Sequence, residues 1–153
     1  FILNKIVNLN NTLLIDFNIK KPKIIISGLN PHAGENGDLG DEEIKIIKPA
    51  VDELKKHTNI SITGPVPADI AFSHEKRCQY DLAVCMYHDQ AIIPIKTLDF
   101  HNGVNVTLGL DFIRTSPDHG TAFDIAGKNL ANPESLISAI NLAYQMSTNK
   151  NNA

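Results

Sequence analysis

Ala83-Val84-Cys85-Met86-Tyr87-His88-Asp89-Gln90 carries a short apolar run straight into an imidazole, a carboxylate and an amide. An apolar run of this length, bounded by polar residues, reads as a buried core strand. The polar end of such a strand is where α/β proteins build sites. From the stretch alone His88 is open to three readings: metal ligand, catalytic base or capping residue.

Two further strands lie upstream. Ile24-Ile25-Ile26 is β-branched and continues to Ser27, delivering the chain into a loop over residues 28–37 that is rich in turn formers. Residues 60–63 form another short strand, opening into Gly64-Pro65-Val66-Pro67-Ala68-Asp69 with Asp69 at the start of a short helix. Strand ends at Ser27, Thr63 and Tyr87 thus all lead into polar loops, and that coincidence points to one shared site.

Helical patterns fill the intervals. Ile2, Ile6, Leu9 and Leu13 predict an amphipathic helix to about Ile15, broken by Lys20-Lys21-Pro22-Lys23. Asp41-Glu42-Glu43 opens the next helix, where acids oppose the positive N-terminal dipole. It runs through Ile44, Ile47, Val51 and Leu54 to Lys55-Lys56-His57, with a kink or an interruption expected at Pro49. A helix over residues 90–97 follows the opening stretch. Val104-Asn105-Val106-Thr107-Leu108 alternates as a half-buried strand, Gly109 turns, and Phe112-Ile113-Arg114-Thr115 is the next strand. Asn132-Pro133-Glu134 opens the last helix with Pro133 at its first position; Leu136, Ile140, Ala143 and Tyr144 form its apolar face, and the tail after Met146 is expected to fray. Alternating strands and helices indicate an α/β layered sheet with flanking helices.

Bulk properties exclude several classes. At 153 residues the chain fits one domain. A net charge of −3 and a pI near 6.0 leave no basic face for phosphates and argue against a nucleic-acid partner. No apolar run approaches the roughly 18 residues a membrane span needs. Residues 1–14 lack a basic region, an unbroken apolar core and a cleavage site, so they are not read as a targeting segment. The chain opens on Phe1 and enters a helical pattern at once, so an N-terminal portion is expected to be missing. Cys78 and Cys85 are not in a C-x-x-C arrangement; Cys85 reads as a small hydrophobe, no structural disulfide is expected, and a reducing cytoplasm fits best.

His32 and His88 are the candidate metal ligands. Two imidazoles from separate loops need a third donor, and Asp69 or Asp89 could supply oxygen or orient a ligand. The competing reading is chance scatter of six histidines near turns, since no H-x-x-x-H or H-E-x-x-H spacing is present. Lys96 and Arg114 are the candidate anion binders. Arg114 follows Phe112-Ile113 in an apolar strand, where a charge is costly unless paired, so an internal salt bridge competes with reading a carboxylate or phosphate. Neither a G-x-G-x-x-G fingerprint nor a G-x-x-x-x-G-K-[ST] loop occurs. Gly34, Gly37 and Gly40 read as loop flexibility. Ser27, Ser61 and Ser116 sit in no G-x-S-x-G elbow, so serine hydrolysis is unsupported. By itself His119-Gly120-Thr121-Ala122 is a turn before a short helix.

Taken jointly, Gly28-Leu29-Asn30-Pro31-His32-Ala33-Gly34-Glu35, Gly64-Pro65-Val66-Pro67-Ala68-Asp69, Met86-Tyr87-His88-Asp89-Gln90, Gly103-Val104-Asn105-Val106-Thr107-Leu108-Gly109 and Phe112-Ile113-Arg114-Thr115-Ser116 resemble the 4-hydroxythreonine-4-phosphate dehydrogenases of pyridoxal phosphate biosynthesis. The motifs cover residues 20–146 in that family's order, and the whole chain, 1–153, looks like the C-terminal portion of an enzyme about twice as long. The resemblance implies an isocitrate/isopropylmalate dehydrogenase-like fold and a homodimer with a shared active site. It implies three histidine ligands to a divalent metal (zinc, magnesium, manganese or cobalt), of which His32 and His88 match two and the third lies outside this chain. Lys96, Asn105 and Arg114 match substrate-binding positions, and a His-Thr pair of substrate contacts belongs to the missing half. Asp69 matches an aspartate close to the metal, a candidate for proton transfer.

A second resemblance concerns the cofactor. Asp118-His119-Gly120-Thr121-Ala122, Asp124-Ile125-Ala126-Gly127-Lys128 and Ala131-Asn132-Pro133 resemble the adenosine-binding loop of isopropylmalate dehydrogenases, HGSAPDIAGK followed by ANP, with Phe123 where that loop has proline. It implies NAD or NADP binding through His119, Gly120, Thr121, Ala122, Asp124 and Asn132. The implied reaction oxidises the C3 hydroxyl of 4-phosphooxy-L-threonine, a small phosphorylated amino acid, and the resulting β-keto acid loses carbon dioxide to give 3-amino-2-oxopropyl phosphate. Two alternatives remain: a paralogue acting on another 4-phosphorylated hydroxy acid, and a catalytically incomplete binding or dimerisation fragment.

Overall fold

The computed structural model describes residues 1–152. The chain forms two compact units, Phe1–Leu14 with Ile19–Pro94 and Ile15–Asn18 with Ile95–Ala153. In chain order the first holds helix α1 (Ile2–Ile15), β1 (Lys23–Ser27), α2 (Lys48–His57), β2 (Ser61–Val66), two single-turn helices α3 (Ala68–Ala71) and α4 (His74–Arg77), β3 (Leu82–Val84) and the start of α5 (His88–Leu98).

Its sheet is three parallel strands in the order β2-β1-β3. Central β1 is buried along Ile24, Ile25, Ile26 and Ser27. Such a continuous apolar run is what a parallel strand covered on both faces requires. The order places β1 between a strand reached on one side and a strand reached on the other, so the crevice at the carboxyl ends of β1 and β3 is the place where open α/β sheets bind ligands. Ile47, just before α2, and Val51 and Leu54 within it are buried at helical spacing and form the stripe that closes this core. The interruption expected at Pro49 is present: a π-wound turn, Glu43–Ile47, passes into α2 at Lys48, with Pro49 in its first turn. Proline has no N–H to give to the preceding turn, which makes this an inexpensive place to change winding.

β2 runs three residues further than residues 60–63, through Gly64 and Pro65 to Val66, with a register irregularity opposite Ile25 and Ser27. Gly64 makes this possible: its φ is +139°, and a Cβ there would lie 2.5 Å from the Ile26 carbonyl oxygen. Gly64→Ala is therefore expected to cost about 2–4 kcal/mol, the sum of a left-handed backbone outlier and a buried overlap. A shift of the urea midpoint corresponding to less than about 1 kcal/mol would contradict this account.

The opening stretch needs correction. β3 ends at Val84, and Cys85, Met86 and Tyr87 bend before His88, which is the first residue of α5 and not the end of a strand. The helix thus starts two residues earlier than the expected 90–97.

In the second unit β4 (Val104–Thr107) and β5 (Arg114–Pro117) pair antiparallel, with Asn105 opposite Ser116 and Thr107 opposite Arg114. β5 begins two residues later than Phe112-Ile113 suggested. The hairpin is tied to helix α6 (Glu134–Asn151) by polar bonds: Thr115 Oγ1 donates to the Ala139 carbonyl at 2.9 Å, whereas Phe112 stays exposed. The same bonds decide which face of α6 is buried. Ser135, Ala139 and Met146 face inward, whereas Leu136, Ile140 and Tyr144 of the expected apolar face are exposed and Ala143 is half-buried. Small side chains at 135 and 139 let the hairpin approach closely, and Ser135 Oγ donates to the Gly103 carbonyl at 2.7 Å while accepting from the Asp118 amide at 2.9 Å. The tail is helical to Asn151, not frayed after Met146.

Candidate functional site

Leaving β1, the chain makes a turn that only an unusual backbone allows. Across Pro31–Gly37, His32, Ala33, Glu35 and Asn36 all have φ between 43° and 60°, and Gly34 lies at +81°. Each non-glycine residue in this left-handed region costs about 1–2 kcal/mol, so the run persists only if its surroundings over-determine it. Buried Glu43 does so. Its carboxylate accepts from the amides of Leu29 at 2.6 Å and Asn30 at 2.8 Å and from Asn30 Nδ2 at 2.9 Å. Gly34 packs against the same group: a Cβ there would lie 2.7 Å from Glu43 Oε2 and 2.6 Å from the Gly40 carbonyl. Gly34 is a packed, required glycine, which corrects its reading as mere loop flexibility. Burial works against the charge on Glu43, and the hydrogen bonds from Asn30, its own amide and Leu29 outweigh it, holding the carboxyl below the usual range. Sequence reading placed Glu43 only as an acid complementing a helix dipole. The missed signal is its phase: 43, 47, 51 and 54 share one stripe, and an acid in step with three buried apolar residues has an internal partner.

A second buried polar group ties the strand ends together. Gln90 Oε1 accepts from Ser27 Oγ and from the Met86 amide, both at 2.9 Å, and its Nε2 donates to the Gly28 carbonyl at 2.8 Å. Neighbouring Cys85 is half-buried, burial pushing its thiol up despite a hydrogen bond with Ser27; it stays a neutral, small apolar group, as expected. No disulfide is present among the described residues, and Cys78 is free and exposed.

The two histidines stand on these supports. His32 Nδ1 lies 3.2 Å from Glu35 Oε2, and His88 Nδ1 lies 2.8 Å from Asp89 Oδ1. A carboxylate can only accept, so in a neutral ring each contact selects the Nδ1–H tautomer and leaves the Nε2 lone pair available to a metal. His32 and Asp69, the latter in the first turn of α3, line one cavity of about 300 Å³ with Asn30, Tyr87 and Gln90. His88 is not among its lining residues, although Tyr87 and Gln90 on either side are. No group of three His, Cys, Asp or Glu that could hold an ion occurs among the described residues.

The second unit carries the remaining candidates. Lys96 Nζ pairs with Asp118 Oδ2 at 2.9 Å, donates to the Asp118 carbonyl, and stands 4.9 Å from the centroid of the Phe100 ring. An incoming anion must therefore compete with Asp118 for Lys96. Arg114 is the reverse case. Its expected burial is not found: it is exposed, has no ion pair among the described residues, and donates from Nη1 to Thr107 Oγ1 at 2.6 Å. The strand register aligns Asn105 and Thr107 with Ser116 and Arg114 on the face that alternates with Thr115, so Asn105 and Arg114 share one polar surface. Thr107 carries no signal of its own in the sequence; only the pairing register places it opposite Arg114.

Five of the six cofactor candidates come together. His119, Gly120, Thr121, Ala122 and Asn132 line a cavity of about 560 Å³, whose apolar wall includes Leu130; Asp124 is not among its lining residues. This volume lies in the range of small-molecule sites. Ala122 takes φ +44° to start the turn at Phe123–Ile125.

Comparison with known proteins bears on this arrangement. The model of the family "Pyridoxal phosphate biosynthetic protein PdxA" matches residues 1–143. The chain belongs to this family. A 4-hydroxythreonine-4-phosphate dehydrogenase of Bradyrhizobium diazoefficiens is 61% identical over 134 residues, covering 88% of this chain and 39% of its own. That of a Ruegeria species is 57% identical over 145 residues, covering 94% and 44%. Among solved structures, the 4-hydroxythreonine-4-phosphate dehydrogenase from Klebsiella pneumoniae is similar with a TM-score of 0.80 at 47% identity, over 93% of this chain and 42% of that one. A terephthalate 1,2-cis-dihydrodiol dehydrogenase from Burkholderia xenovorans shares the fold at TM-score 0.71 and 32% identity, over 94% and 45%. The chain thus spans about two fifths of the length of these relatives. It has the isocitrate/isopropylmalate dehydrogenase-like α/β fold expected for the family. No helix among the described residues is long and apolar enough to cross a membrane.

Proposed function

We propose that this chain is the C-terminal portion of a metal-dependent 4-hydroxythreonine-4-phosphate dehydrogenase, a cytoplasmic homodimer that oxidises the C3 hydroxyl of 4-phosphooxy-L-threonine with NAD or NADP. The observation carrying the reading is 61% identity to a relative of that name across the stretch that bears every candidate residue. Exposed Leu136, Ile140 and Tyr144 are compatible with a further surface covering α6.

The donor set suits a divalent ion. Two imidazoles with Nδ1 committed to carboxylates and Nε2 free have the hydrogen-bonding pattern common to metal-bound histidines, and the third donor comes from outside this chain. When bound, such an ion supplies Lewis acidity at the substrate's oxygen. Asp69 shares the cavity with His32 and is the group available to take or return a proton there. Arg114, held by Thr107, offers its planar fork to a carboxylate or phosphate. Asn105 on the same face orients by hydrogen bonding, and Lys96 adds a second positive charge when an anion displaces Asp118. The 560 Å³ cavity can take an adenosine-sized group, and the backbone at Gly120 has nothing within 4 Å of where a Cβ would stand, leaving room for close approach. A bound nicotinamide cofactor supplies the hydride acceptor.

The test is turnover by the full-length protein with a divalent metal and either NAD or NADP, across 4-phosphooxy-L-threonine, 4-phosphoerythronate, a phosphothreonate and a cis-dihydrodiol. The expected result is nicotinamide reduction with the first of these. Turnover of another member but not of 4-phosphooxy-L-threonine would move the protein to a paralogous activity, an outcome the likeness to the dihydrodiol dehydrogenase makes worth including. The two-fifths span favours one second reading, that a chain of this length alone binds without turning over; assaying it beside the full-length protein separates the two.

A further inference from the structure

Gln90 lies two residues past the candidate ligand His88 and is buried, yet no step of the proposed reaction uses it. Its amide joins the two loops that carry the histidines. On the β3 side it accepts from the Met86 amide, two residues before His88. On the β1 side it accepts from Ser27 Oγ and donates to the Gly28 carbonyl, four residues before His32. The same peptide group, Gly28–Leu29, gives its N–H to Glu43 at 2.6 Å. One peptide plane is thus held at its oxygen by Gln90 and at its hydrogen by Glu43. The orientation of the amide is fixed by chemistry, because Met86 N–H can only donate and the Gly28 carbonyl can only accept. An ionised glutamate of the same length has only acceptors and could not donate to the Gly28 carbonyl.

We propose that Gln90 is a positioning residue that fixes the separation of the His32 and His88 loops, and through it the spacing of the two imidazoles. The proposal rests on the reading of these histidines as metal ligands. Ligands brought from two strands define a bond distance only if the strand exits are locked together, and main-chain bonds of β1 with β3 stop at the pair Ile26–Val84. Beyond that point, Gln90 and the 3.3 Å contact from Ser27 Oγ to the Val84 carbonyl carry the connection. Ser27 alone reaches only the last residue of β3; Gln90 reaches past it to Met86.

The experiment uses the full-length protein and Co(II) as the probe, with affinity measured by chelator competition well below the unfolding temperature and the bound-metal absorption spectrum recorded. Gln90→Met keeps the volume and removes all three bonds; it is expected to weaken Co(II) binding about 10–100-fold, as loss of a group orienting a ligand does, and to alter the spectrum. Ser27→Ala leaves the bridge from Met86 to Gly28 intact and is expected to change affinity less than about 3-fold on the same reasoning. Ile62→Val, a core change on β2, lowers the unfolding temperature with affinity unchanged and separates a stability effect from positioning. Unaltered affinity and spectrum in Gln90→Met overturn the proposal. Should the wild-type protein take up no Co(II), the metal reading falls instead. The clamp is then read from amide hydrogen exchange at Met86 and Leu29, which is expected to be at least about 10-fold faster in Gln90→Met; unchanged exchange overturns it as well.

Discussion

Glu43→Ala is expected to lower stability by about 3–5 kcal/mol, more than any other single polar substitution in the first unit. Two backbone amides, Leu29 and Asn30, and the Asn30 side chain give their hydrogens to this one buried carboxylate. Each buried donor left without a partner costs about 1–3 kcal/mol. The left-handed run from His32 to Asn36 then loses the contact that holds it in place, and residues relaxing to right-handed φ carry His32 away from the cavity it shares with Asp69. Glu43→Gln retains one acceptor oxygen but turns an NH₂ toward donors, so an intermediate loss of about 1–3 kcal/mol is expected. Acid supplies an independent arm. The folded carboxyl titrates below its unfolded value, so its stabilisation is fully present above the unfolded pKa and is lost as pH falls through the folded one. Urea midpoints measured from neutral pH downward should therefore fall more steeply for the wild type than for Glu43→Ala below the usual carboxylate range. Parallel curves, or a neutral-pH loss under about 1 kcal/mol, would show that the loop is held by something else.

Which parts of this were legible in the sequence follows from where the deciding interactions lie. β1, α2 and β4 could be read because their signals, an unbroken apolar run, a helical stripe and strict alternation, belong to the residues themselves. The inward face of α6 could not. Large apolar residues at 136, 140 and 144 compete with small ones at 135 and 139, and periodicity favours the large, while the hairpin needs the close approach that Ser135 and Ala139 allow. For β5, Phe112 and Ile113 have the stronger strand propensity and predict a start two residues early, whereas the paired strand begins at Arg114 and reaches α6 through Thr115. The left-handed turn at His32 is the least local feature: nothing in Pro31-His32-Ala33-Gly34-Glu35 dictates it without a carboxylate arriving from Glu43. For the candidate site, residue types and the family resemblance nominate His32, Asp69, His88 and Arg114. Their supports, Glu43, Gln90 and Thr107, are visible only once distant segments have met, because each acts through a partner that sequence spacing does not reveal.

The second large effect is expected at the histidines. In the full-length protein, His88→Ala and His32→Ala should each abolish retention of a divalent metal through dialysis and lower kcat/KM by about 10³-fold. Lewis-acid stabilisation amounts to several kcal/mol, and each 1.36 kcal/mol is a factor of ten. If both imidazoles serve one ion, removing the first already removes the ion, so the double variant should be scarcely worse than either single one. Multiplicative losses near 10⁶-fold would mean that the two residues act separately and that the shared-ion assignment is wrong. Asp89→Asn refines the point. Asp89 lies 2.8 Å from His88 Nδ1 and is not among the residues lining the cavity of His32 and Asp69; replacing its carboxylate weakens the partner that selects the Nδ1–H tautomer while leaving the imidazole in place. An expected affinity loss of about 10–100-fold, with activity restored by saturating metal, distinguishes a group that orients a ligand from one that reacts. Activity lost at saturating metal would instead give Asp89 a direct part in the chemistry, and His88 would then be read as the base of an Asp–His pair and not as a ligand.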